Sequence, residues 1–308
     1  MNYYFAPLEG ITRSIFRNCY ERFFGGIDAY YTPFVTTRDG GIMKKKEKRD
    51  ILPENNSGLN IIPQIMTNKS EEFLQAARHM QEMGYTEVNL NLGCPSGTVV
   101  PKGKGSGFLR DTDALDRFLE EIYNGCPIDI SIKSRIGFSS PEELPVLLEI
   151  YNKYPVKMLI LHLRTREEMY SGSIHPEAFS YAYDNARMPL VFNGDVKTVE
   201  DVKLIKNSYS NELKGIMIGR GFLSHPGFVG NEKLKGNYTD KNRIMEFIRA
   251  LEDDYSQVLF GETPLLFKMK EIWSFLQESF TDGDRLFRKI KKVKHLDEYH
   301  RIISTIDK

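Results

Sequence analysis

Val88-Asn89-Leu90-Asn91-Leu92-Gly93-Cys94-Pro95-Ser96-Gly97 is the stretch from which the whole chain can be read. Its first five residues alternate apolar and polar, the period of a β-strand. The strand has to stop at Gly-Cys-Pro, because proline lacks the N–H that a ladder needs and fixes φ. The thiol of Cys94 therefore stands at the mouth of a strand on a sharp turn. An isolated cysteine is most often a small buried hydrophobe; the flanking glycine and proline argue for a presented thiol. Lys102-Gly103-Lys104-Gly105-Ser106-Gly107 follows. Its glycines and lysines predict a mobile, polar loop. A reactive group at a strand end under such a loop suits a large anionic substrate.

The pattern recurs. Strand-like runs are Tyr3–Ala6, Ala29–Val35, Asn60–Ile65, Glu87–Leu92, Ile128–Ser134, Met158–Leu163, Pro189–Phe192 and Gly215–Ile218. Amphipathic stretches lie between many of them: Ser70–Met83, with Ser70 as N-cap and Gly84 just past its end, then Asp111–Tyr123, Pro141–Tyr151 and Thr198–Lys206. Eight strands with intervening helices predict a parallel α/β fold, and eight is the number that closes a (β/α)8 TIM barrel. A doubly wound open sheet is the rival. The barrel is favoured because distinctive residues follow one run after another. Such residues are Pro7-Leu8-Glu9-Gly10, Cys94, Arg135, Arg164, Asn193-Gly194-Asp195 and Gly219-Arg220-Gly221. A barrel gathers its strand C-termini on one face. Pro63, inside the third run, fits less well, since it costs a ladder bond.

Beyond about residue 236 the texture changes. Asn242–Phe260, Pro264–Phe280 and Asp284–Lys294 are amphipathic, with a further helix expected to end the chain and Asp282-Gly283-Asp284 as a turn and cap. The expected organisation is a catalytic barrel over residues 1–236 and a small helical bundle over 237–308. The 308 residues carry 42 Lys and Arg against 42 Asp and Glu, a balance that by itself argues mildly against a nucleic-acid partner. The charge is segregated, however: basic clusters occupy Lys44–Arg49, Lys102 with Lys104, and Arg285–Lys294. No run is long and apolar enough to span a membrane, and the N-terminus lacks a signal-peptide pattern. Three unpaired cysteines fit a reducing cytoplasm. The six histidines show no metal-ligand spacing, so no metal is expected.

Asn193-Gly194-Asp195 and Gly219-Arg220-Gly221 follow the last two strands, whose loops form the usual phosphate site of a TIM barrel. Glycines admit phosphate oxygens to backbone N–H groups, and Arg220 can hold them bidentately. Lys133 and Arg135 alternate along the fifth run, so both can face the interior and stabilise an anion. His162, in Leu161-His162-Leu163-Arg164-Thr165, reads equally as a core histidine or a ligand contact.

Together these pieces, with Ala6-Pro7-Leu8-Glu9-Gly10 and Pro63-Gln64, resemble the tRNA-dihydrouridine synthases over essentially the whole chain. The Asn-x-Gly-Cys-Pro element is the most specific part. Leu8 stands where that family usually has methionine, and Ser106-Gly107 where glycine-alanine is common. The resemblance implies an FMN-dependent enzyme that uses NADPH or NADH to reduce the C5=C6 bond of specific uridines in tRNA. By that resemblance FMN is bound by Pro7, Leu8, Gln64, Lys133, His162, Asn193, Gly194, Asp195, Gly219 and Arg220. Cys94 is the catalytic acid, and Asn91 and Arg135 hold the uracil. Lys102, Lys104, Lys289, Lys291 and Lys292 are expected to contact the RNA, and a monomer is the expected state. Two alternatives stay open: an FMN barrel acting on a free pyrimidine, and an RNA-binding barrel without chemistry.

Overall fold

The computed structural model describes residues 1–38, 42–209 and 213–306. Positions 307 and 308 of the expected C-terminal segment lie outside them. Eight parallel strands form the centre: β1 (Asn2–Phe5), β2 (Ala29–Tyr31), β3 (Ile61–Ile62 and Gln64–Ile65), β4 (Glu87–Leu92), β5 (Asp129–Arg135), β6 (Leu159–His162), β7 (Leu190–Asn193) and β8 (Gly215–Ile218). Each pairs with its neighbour in sequence, and β8 returns to β1. The ring closes through β3. Ile61 and Ile62 pair with β2, Gln64 and Ile65 pair with β4, and Pro63 separates the two halves. The proline that reads as an obstacle to a strand is the point where the strand changes partner; its carbonyl still accepts from the Asn89 N–H at 2.8 Å. The open-sheet alternative is thereby excluded.

Alternation along the strands divides two cores. Tyr4, Ala29, Tyr31, Ile62, Ile160, Val191 and Met217 fill the barrel interior. Phe5, Tyr30, Ile132, Leu161 and Ile216 turn outward into a larger core with the surrounding helices. Those helices are α1 (Ser14–Phe23), α2 (Lys45–Ile51), α3 (Ser70–Glu82), α4 (Thr112–Gly125), α5 (Leu144–Tyr151), α6 (Pro176–Asn185), α7 (Val199–Ser208), α8 (Arg220–Ser224) and α9 (Phe228–Leu234). Ser70 does not cap α3 as expected. It is the first helical residue, and its hydroxyl is taken by Glu121 of α4. Gly84 does follow the helix at positive φ, with its N–H on the Gln81 carbonyl.

Four further helices complete the chain: α10 (Lys241–Ser256), α11 (Glu262–Leu276), α12 (Gly283–Lys292) and α13 (Leu296–Ile303). Phe247 of α10 packs against Phe16, Tyr20 and Phe24 with ring centroids 5.0–6.2 Å apart. Buried Trp273 of α11 donates to the Tyr299 hydroxyl of α13 at 2.9 Å. The apolar core therefore runs unbroken from the barrel's helical layer into the C-terminal helices. No helix among the described residues is long and apolar enough to cross a membrane.

Candidate active site

The C-terminal ends of the strands open on one mouth. Leu92 ends β4, and Gly93-Cys94-Pro95 turns the chain away under the control of Asn91. The Asn91 carbonyl oxygen accepts from the N–H groups of Gly93 at 3.0 Å and Cys94 at 2.9 Å. Its amide nitrogen donates to Gln64 Oε1 at 2.6 Å. Both ends of this side chain are thus spent on shaping the turn. Cys94 is half-buried, and burial pushes its thiol up despite the cations of Arg135 and Lys133. It is protonated at neutral pH.

The loop after Cys94 is not the mobile segment its glycines suggest. Two short 3-10 helices, Val100–Lys102 and Gly105–Arg110, order it, and Gly105, Ser106 and Gly107 are buried. Ser106 donates to the Cys94 carbonyl through both its N–H and its hydroxyl. Gly105 has φ +55°, and a Cβ there would lie 2.8 Å from the Cys94 carbonyl oxygen. The glycines serve close packing against the cysteine turn, not flexibility. Lys102 is exposed, and Lys104 leans 3.7 Å from Glu72.

On β5 the alternation aims Lys133 and Arg135 inward. Lys133 Nζ donates to Asn193 Oδ1 of β7 at 2.9 Å, and Asn193 in turn donates to the Met217 carbonyl of β8 at 2.9 Å. Burial, with the Arg135 guanidinium beside it, pulls the Lys133 ammonium down to about 7. Arg135 is 1% exposed. It donates to the carbonyls of Gly93, Thr165 and Met169 at 2.7–2.8 Å, tying the turn after β4 to the loop after β6. His162 ends β6 among Arg135, Lys133, Arg164 and Arg220; burial first, then these cations, hold it well below its ordinary value and therefore neutral.

The loops after β7 and β8 meet as expected. Asp195 is clasped by Arg164, through both carboxylate oxygens, and by Arg220 at 3.0 Å. Gly221 permits the approach, since a Cβ there would run into the Val196 carbonyl. Gly219 lies against Ala6 and Leu8 across the β1–β8 seam, and Pro7 is half-buried next to it. Gly194 stands over the Phe192 ring.

Two contributors lie outside the expected cofactor and uracil contacts. Arg164 was visible as a charge following an apolar run. Tyr170, whose ring faces Arg135 at 5.3 Å, Arg220 at 5.5 Å and His162 at 6.3 Å, lies in an irregular loop that leaves no periodic signal. Lys289, Lys291 and Lys292 do not join the mouth cluster: they are carried on α12, whose buried residues are Gly283 and Ile290.

The family model described as dihydrouridine synthase (Dus) matches residues 4–304. The chain belongs to the dihydrouridine synthase family. Members of this family are FMN-dependent oxidoreductases that draw on NAD(P)H, and so is this chain. Among curated relatives, a probable tRNA-dihydrouridine synthase 2 of Bacillus subtilis is 26% identical over 314 residues, spanning 98% of this chain and 93% of the relative. A probable tRNA-dihydrouridine synthase of Rickettsia bellii is 24% identical over 83% of this chain and 81% of its own length. The fold is similar to solved TIM-barrel structures. The old yellow enzyme homologue NCR of Zymomonas mobilis superposes with a TM-score of 0.52 at 13% identity, over 76% of this chain and 89% of that one. Morphinone reductase gives 0.53 at 11% identity, over 79% and 88%.

Proposed function

We propose that this dihydrouridine synthase acts on tRNA, with Cys94 as its acid and the mouth of the barrel as its FMN site. The observation that carries the reading is a thiol held on a fixed turn beside a cluster of cations, of which Arg135 and Arg164 are buried and Lys133 and Arg220 half-buried. The donor set fits a phosphorylated flavin. Lys133, Arg135, Arg164 and Arg220 converge with Asp195 as the carboxylate between two of them, which leaves a surplus of positive charge for a phosphate and an anionic ring. Among the described residues no carboxylate pairs with Lys133 or Arg135.

Pro7 and Leu8 would lie along the ring, Gln64 and Lys133 at its polar edge, and His162, Asn193, Gly194, Asp195, Gly219 and Arg220 around the ribityl chain and phosphate. FMN, once reduced by NADPH or NADH, supplies the two electrons and one of the hydrogens that the uracil ring gains at C6. The chain's own part is the other hydrogen. As a C–H bond forms at C5, the Cys94 S–H bond breaks toward it, and the thiolate recovers its proton from solvent. Neighbouring Lys133 and Arg135 stabilise the transient thiolate. Asn91 and Arg135, by fixing the Gly93–Cys94 turn, hold the sulfur in place and border the uracil.

A stacked uridine hides its C5=C6 bond, so the base has to swing out into the mouth. Lys102, Lys104 and the cations of α12 would hold the RNA by its phosphates. Dihydrouridine mapping on total RNA from cells with and without the gene tests the reading, with Cys94→Ala as a rescue control. Loss of dihydrouridine at a tRNA position, restored by the native chain and not by Cys94→Ala, is expected. No change in any RNA overturns it. Reversing charge at Lys289, Lys291 and Lys292 is expected to weaken tRNA binding and flatten its salt dependence with FMN retained; unchanged affinity removes those lysines from the RNA contact.

A further inference from the structure

A continuous line of side-chain hydrogen bonds crosses the barrel from its bottom to Cys94. Glu87, Asn89 and Asn91 are alternate residues of β4, with Ser131 opposite Asn89 on β5 and Gln64 opposite it on β3. Asn91 Oδ1 accepts from the Gly93 and Cys94 N–H groups. Asn91 Nδ2 donates to Gln64 Oε1 at 2.6 Å, and Gln64 Nε2 to Asn89 Oδ1 at 2.8 Å. Asn89 Nδ2 donates to Ser131 Oγ at 2.9 Å, and Ser131 Oγ to Glu87 Oε1 at 2.7 Å. The other Glu87 oxygen pairs with Lys157 at 3.0 Å. Gln64, Asn89 and Ser131 are fully buried.

The direction of this line is fixed at both ends. Peptide N–H groups can only donate, and an ionised carboxylate can only accept. Turning over any amide between them sets donor against donor, or acceptor against acceptor, among side chains fully shielded from solvent. We propose that Glu87 is a positioning residue for Cys94: its acceptor-only carboxylate sets the direction of the line, so that Asn91 presents its oxygen to the cysteine turn. This rests on Cys94 being the working thiol, but it assigns to the bottom of the barrel a part that the mouth residues alone do not reveal.

Glu87→Gln separates direction from volume. Lys157 claims the carbonyl oxygen of the substituted side chain, which leaves its amide nitrogen facing Ser131. Ser131 then either donates to Asn89, with a reversal that passes through Gln64 to Asn91, whose nitrogen would meet the Cys94 N–H, or goes on accepting from Asn89 and turns its hydrogen to the Val88 carbonyl, 3.5 Å away; either change disturbs the line from below. Removing Lys157 as well releases that carbonyl oxygen back to Ser131, with Asp129, opposite on β5, to receive the amide nitrogen. A merely structural ion pair predicts the opposite, because losing both partners cannot restore it.

The test is iodoacetamide alkylation of Cys94 across pH, followed by mass spectrometry on the full chain without FMN, in a Cys126→Ser background; Cys19 is fully buried. It reads the thiol directly, so it can fail independently of dihydrouridine formation. Glu87→Gln is expected to change the alkylation rate at least about threefold. Glu87→Gln with Lys157→Met is expected to return it toward the native value, and Ser131→Ala, which interrupts the line midway, to change it as Glu87→Gln does. Native rates in both Glu87→Gln and Ser131→Ala, or a double variant no nearer native than Glu87→Gln, overturn the proposal. Should Glu87→Gln not fold, Ser131→Ala decides: an altered rate supports the line, a native rate refutes it.

Discussion

At the scale of single residues, burial at the mouth moves Cys94 and Lys133 in opposite directions, securing the proton of one and drawing the other toward neutrality. Burial raises the Cys94 thiol and keeps its proton on at neutral pH. Cys94→Ala is expected to lower the rate of dihydrouridine formation about a hundredfold or more, the usual contribution of a general acid, while FMN content is unchanged; single-turnover assays on tRNA check it. Lys133 is shifted the other way, to about 7. At pH near 8 the ligand-free lysine is largely neutral, and an anion bound beside it raises its pKa. FMN binding there is expected to take up a proton and to weaken as pH rises through about 7 to 9. Calorimetry in buffers of different ionisation enthalpy reads the uptake, and Lys133→Met is expected to abolish it. Sequence showed these residues because both faces of a parallel strand are covered, so that a charge on β5 has to have a purpose. It did not show what Asn91 and Arg135 touch. Apart from the Gln64 side chain and the Tyr170 ring, their partners are backbone groups of Gly93, Cys94, Thr165 and Met169, which carry no sequence signature.

Among the elements, the loop after β4 departs most from its composition. Its glycines resemble those of a flexible linker, yet Gly105 packs on Cys94 and Gly107 on Val100. Composition cannot tell a glycine chosen for freedom from one chosen for close approach, because both need only the missing Cβ. Gly105→Ala faces a positive φ and a contact of 2.8 Å to the Cys94 carbonyl oxygen. It is expected to cost about 1–3 kcal/mol of stability, and to depress activity more than melting shows, since the strain is relieved by moving the cysteine. Thermal melts and steady-state rates on the same preparations check both halves. The strands and most helices were legible from periodicity. The N-cap of α3 was not, because the Ser70 hydroxyl is drawn to Glu121 of α4, a tertiary competitor that no local rule sees.

For the whole molecule, the aromatic contacts of Phe247 with Phe16, Tyr20 and Phe24 join the C-terminal helices to the barrel. The change of texture near residue 236 marks where strands end, but the core does not end there. One cooperative unfolding transition is therefore expected, and Phe247→Ala is expected to lower the stability of barrel and helices together by about 3–5 kcal/mol; circular dichroism and flavin fluorescence should report the same midpoint. The split third strand has a consequence of another kind. A barrel whose other ladders run along continuous strands has one place where closure depends on two short pieces: Thr32 bonds to Ile62, Val35 to Gln64 and Met66 to Val35. That is a zipper with its slider at Pro63. In native-state hydrogen exchange the amides of Thr32, Val35 and Met66 are expected to exchange ahead of those in the middle of β4 and β5. The cylinder would then breathe along this line, and Gln64 would be the first wall of the mouth to yield.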